Sequence, residues 1–77
     1  MNQSENDTRS TDLIAALCHE LLRLARLEED RAACEAARTP YWMPLPERVL
    51  GHRAAASALR ADLAHFEAVL RATPLAG

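Results

Sequence analysis

Lysine is absent from this 77-residue chain, so all nine basic residues are arginine. In an Ala- and Leu-rich sequence that reads as GC-rich bacterial coding bias rather than as function. Formal charge is −2, which removes any overall attraction to nucleic acid or to anionic lipid. No apolar run approaches membrane-spanning length. The polar stretch from Met1 to Ser10 has no apolar segment of the signal-peptide kind, so a cytoplasmic protein is expected. There are two cysteines, Cys18 and Cys34. They are too far apart for a metal-binding pair and too few for a disulfide scaffold, which favours reduced thiols. The sequence also lacks a Gly-rich phosphate loop, a nucleophile elbow and a Cys with an evident His and acid partner. Nothing in it marks an enzyme, and no cofactor is implied.

Aromatics and helix breakers are scarce, and most of them sit together. Residues 39–46 read Thr-Pro-Tyr-Trp-Met-Pro-Leu-Pro and hold three of the four prolines and two of the three aromatics. Proline lacks an amide donor and clashes with the preceding turn of a helix. It also pushes the residue before it toward extended geometry. Long runs of good helix formers lie on both sides. The spacing therefore predicts an all-α fold, an antiparallel two-helix hairpin of about 11–38 and 46–72 joined by a Pro-rich corner. Residues 1–10 are expected to form a disordered tail, because 1–9 contain only the initiator Met as an apolar side chain. The hairpin spans 11–73, and residues 74–77 should fray.

In the first helix Ser10 or Thr11 can cap the N-terminus. Leu13, Leu17, Leu21 and Leu24 follow three-four spacing, with Ile14, Cys18 and Ala25 beside them. The same line continues as Glu28, Arg31, Glu35 and Arg38, an alternating ladder, while the apolar face swings to Ala25, Ala32 and Ala36; the ladder reads either as a solvated face or as one turned to a polar groove or a partner. In the second helix, Pro46 suits the first position. Val49, His52, Ala56, Leu59, Leu63, Phe66 and Leu70 form a seven-residue repeat that is apolar except at His52. A second stripe, Ala54, Ala58, Ala61, Ala68 and Ala72, permits close helix approach and suggests a homodimer forming a four-helix bundle. Gly51 marks close packing near the corner or nothing at all. Near the corner the core is expected to thin to Ala, Cys34, Val49 and Leu50.

Two functional readings follow. The first is a small non-enzymatic protein-interaction module (an adaptor, antitoxin-like or inhibitor protein) acting through helix faces and the corner. Its candidate protein-binding residues are Tyr41, Trp42, Met43, Arg48 and His52, since Trp, Tyr and Met are enriched at interfaces. Against it stands the simpler expectation that Trp42 and Met43 fold inward and plug the thin end of the bundle, with His52 a hydrogen-bonded core residue. The second reading is a metal-binding helical bundle. If the hairpin turns near Trp42, residues whose numbers add to about 85 lie level, which sets Cys18 and His19 beside His65 and Phe66. Asp62-x-x-His65 has the spacing of the Glu-x-x-His element of di-iron bundles, and in this the chain resembles two-helix encapsulated ferritins. That resemblance implies Asp62 and His65 as ligands, with Asp in place of Glu; the simpler reading leaves both histidines on the surface. Arg48, Arg53 and Arg60 would carry any DNA binding, but an arginine stripe of this kind is usually a solvated face, and no recognition-helix motif accompanies it.

Overall fold

A computed structural model describes residues 3–72, with side chains from Thr8 onward. Residues 73–77, and with them the expected fraying of 74–77, lie outside the described residues. Two helices account for the fold: α1, Gln3–Arg38, and α2, Glu47–Ala72. They pack along their length as an antiparallel hairpin. The molecule is a rod of 62 × 16 × 14 Å with a radius of gyration of 17.9 Å. A compact chain of this length would have a radius of gyration of ~11.5 Å.

The start of α1 corrects the expected helix of 11–38. The helix begins at Gln3, so Ser10 and Thr11 lie inside it and do not cap it. Poor apolar content predicts little burial, but it does not stop a helix from propagating. Each added residue gains one hydrogen bond once the nucleus exists. The far end follows expectation, with α1 stopping at Arg38, two residues before Pro40. α2 begins at Glu47 rather than Pro46, and the Pro46 carbonyl accepts from the Val49 amide at 3.0 Å.

The side-chain pairs that link the helices are Glu28 with His52, Glu29 with Arg60 and Glu35 with Arg48; their numbers add to 80, 89 and 83, around the expected value of about 85. Phe66 packs against the cluster that contains Cys18. Cys18, Leu21 and Leu63 form the core cluster at the end away from the corner, with Ile14, Leu22, Leu59, Phe66 and Leu70 packed against it. Toward the corner the buried residues are Ala25, Ala32, Val49 and Ala56.

The α2 repeat is therefore the seam: every member is buried or half-buried. The expected α1 face is displaced by about one residue. Leu13 and Leu17 are exposed, and the line that faces α2 is Ile14, Cys18, Leu21, Ala25, Glu28, Ala32 and Glu35. Both lines have three-four spacing, so periodicity alone does not choose between them. The choice brings the small residues Ala25 and Ala32 against α2, and small side chains let the helices approach. Cys34 and Leu50 are exposed and add nothing to the thin end. Gly51 has open space where a Cβ would stand, so it marks no close packing.

Candidate functional site: the proline corner

Hydrogen bonds close the corner at both ends. The Thr39 amide donates to the Ala36 carbonyl at 3.1 Å, and the Thr39 hydroxyl donates to the Glu35 carbonyl at 2.9 Å. These satisfy two of the carbonyls that a helix C-terminus leaves open. The Met43 amide then donates to the Pro40 carbonyl at 3.0 Å, a turn with Tyr41 and Trp42 as its central residues. Pro44 and Pro46 hold the following segment extended until α2 begins.

This geometry turns the aromatics outward. Tyr41 is 95%, Trp42 71% and Met43 53% exposed. The expected inward plug is not formed. Proline-restricted backbone on both sides of a tight turn leaves Trp42 no route back to the core, and alanines packed closely along the seam fill the thin end without it. Tyr41 and Trp42 instead meet edge to face, with ring centroids 5.1 Å apart and planes at 87°, an arrangement favoured by the aromatic quadrupoles. Leu45, between two prolines, and Leu50, on the first turns of α2, are exposed as well. Neither was among the residues expected at the site. The signal for Leu45 was the Pro-Leu-Pro triplet, in which the chain cannot fold the leucine under a helix.

Arg48 and His52 lie apart from the turn, along the join between the helices. His52 is half-buried on the seam, and its Nδ1 contacts the Glu28 carboxylate. Glu28 also accepts from Arg31 at 3.3 Å. Arg48 reaches Glu35 at 3.8 Å. The acidic members of the expected ladder thus turn toward α2 rather than into solvent, while Arg31 and Arg38 stay outside. Asp30, Arg31, Cys34, Glu35 and His52 line an open depression of about 400 Å³. The Glu28–His52 and Glu35–Arg48 pairs cross between the helices beside it, and His52 fits the expected role of a hydrogen-bonded residue of the seam.

Elsewhere, Arg60 donates to Glu29 through Nε at 2.6 Å and through a terminal nitrogen at 2.8 Å. That bidentate pair draws the Glu29 carboxyl below the usual carboxylate range. Of the three arginines that would carry nucleic-acid contacts, Arg48 and Arg60 are therefore paired with carboxylates of α1. Asp62 and His65 are exposed on α2, and His65 packs edge to face on Phe66. Among the described residues no group of three or more His, Cys, Asp or Glu side chains is placed to hold a metal ion. Among those residues too, no helix is long and apolar enough to cross a membrane. No protein family matches the chain, and no curated protein or solved structure is significantly similar to it.

Proposed function

We propose that this chain is a small non-enzymatic interaction module that binds another protein through its corner and self-associates as a homodimer, forming a four-helix bundle. One observation carries the first part. Tyr41, Trp42 and Met43 are the residue types that dominate interface cores, and they stand together, exposed, on a turn whose backbone is already fixed. Binding there would lose little conformational freedom, because the prolines have removed it beforehand. A cytoplasmic setting belongs to the same proposal and rests on the small number of cysteines in the sequence.

The test is capture of partners from the native host on immobilised wild-type chain, beside Trp42→Ala and Tyr41→Ala. A hot-spot residue is worth ~2 kcal/mol or more, so each variant should weaken capture by ~30-fold while circular dichroism stays unchanged. Equal capture by wild type and Trp42→Ala would remove the corner as the site.

A further inference from the structure

The corner carries charge as well as rings. Residues 36–54 contain three arginines, Arg38, Arg48 and Arg53, and a single acid, Glu47, in a chain whose net charge is −2. The glutamates of α1 nearest this end are drawn to the join, Glu28 to His52 and Glu35 to Arg48. Arg48 still keeps 76% of its side chain in water. Arg38 and Arg53 are exposed, and among the described residues neither has an ion-pair partner. Between them stand Tyr41, Trp42, Met43, Leu45 and Leu50, each at least 41% exposed. This end of the rod is therefore apolar, with positive charge to spare on either side.

The backbone narrows the kind of partner. Pro44 and Pro46 have no amide hydrogen, and the Met43 amide is already spent on the Pro40 carbonyl. From 43 to 46 that leaves Leu45 alone with an amide to donate, too little to continue the edge of a partner's sheet. Recognition falls to side chains. A turn that joins two helix ends also projects, and a projection is received by a hollow.

We propose that the partner takes the corner into an apolar pocket rimmed by aspartate and glutamate. This rests on reading the corner as a protein-binding site and names the chemistry of the surface that fits it. The rings enter the pocket, and Arg38 and Arg53 meet the rim. A guanidinium suits that place because it can give a carboxylate two parallel hydrogen bonds. A basic rim would repel two unpaired cations, whereas an acidic one steers the encounter and fixes the orientation.

Photocrosslinking in the native host tests the proposal. The full chain carrying Tyr41→benzoylphenylalanine is irradiated, the crosslinked peptide is sequenced by mass spectrometry, and the protein it identifies is purified for calorimetric titration. The crosslink should fall among apolar residues with aspartate or glutamate around them. Arg38→Glu combined with Arg53→Glu should raise the dissociation constant about tenfold at low salt, with circular dichroism unchanged. Wild-type affinity should fall toward that of the variant as salt is added. A partner that ignores salt and the arginine variant, yet is lost on Trp42→Ala, overturns the acidic rim and leaves the corner as the site. A partner indifferent to Trp42→Ala overturns the corner too. Crosslinking only to lipid or to a second copy of the chain overturns the pocket-bearing partner.

Discussion

Gly51 sits exposed in the first turns of α2 with open space around its missing side chain. A glycine in such a place weakens the helix without serving any packing purpose. Gly51→Ala should therefore stabilise the protein by ~1 kcal/mol, read as a higher urea midpoint with an unchanged slope. Val49 is the opposite case, wholly buried where the core is otherwise alanine. Removing two methyl groups there should cost ~2 kcal/mol, a large share of what a two-helix chain can hold. At this scale the sequence placed Val49 on the α2 seam, where it is found, but left Gly51 open. Glycine's role depends on whether a neighbour stands over it, and spacing carries no information about that. The same holds for Trp42, whose size suggested a plug until the turn geometry placed it outside.

For the helices, the existence, type and order of α1 and α2 could be read from apolar spacing and prolines. So could the α2 seam, where one line of apolar residues has no rival. α1 was harder to read because Leu13–Leu17 and Ile14–Cys18 are neighbouring lines of similar character. In the first half of α1 the sequence favoured leucine by size, whereas packing favoured Ile14 and Cys18; in the second half the expected swing to Ala25 and Ala32 is what the structure shows. Substitution separates the two lines. Leu21→Ala, in the core cluster, should cost ~2–4 kcal/mol. Leu13→Ala should leave monomer stability almost unchanged, because most of its surface is already in water. Thermal unfolding at low protein concentration, where association does not contribute, makes the comparison.

The link between helices also has a pH signature. The Arg60 guanidinium holds the Glu29 carboxyl below its ordinary range. A carboxylate whose folded-state pKa is depressed contributes stability above its unfolded pKa. That contribution is lost as pH falls through the folded value. Acidification from neutral pH should therefore lower the unfolding midpoint, and the drop should be smaller in Glu29→Gln. The exposure of both side chains keeps the effect modest and salt-sensitive.

As a whole molecule, the hairpin is a rod of 62 × 16 × 14 Å. In the proposed homodimer the melting temperature of the wild type should rise with protein concentration, and a monomer should show no such rise. Nothing in the linear pattern separates Leu13 and Leu17, which are exposed, from the core face of α1. The assignment needed the structure, because a stripe is free only in relation to the helix beside it.

Trp42 is the only tryptophan in the chain, and it lies outside the core. Its fluorescence therefore reports on the corner and scarcely on folding. In the free protein the indole should emit to the red, be quenched readily by small solutes and change little when the helices melt. Seating a partner on the turn should move the emission to the blue and shield it from quencher. The chain carries its own optical label at the place where binding is proposed, so a titration needs no attached dye.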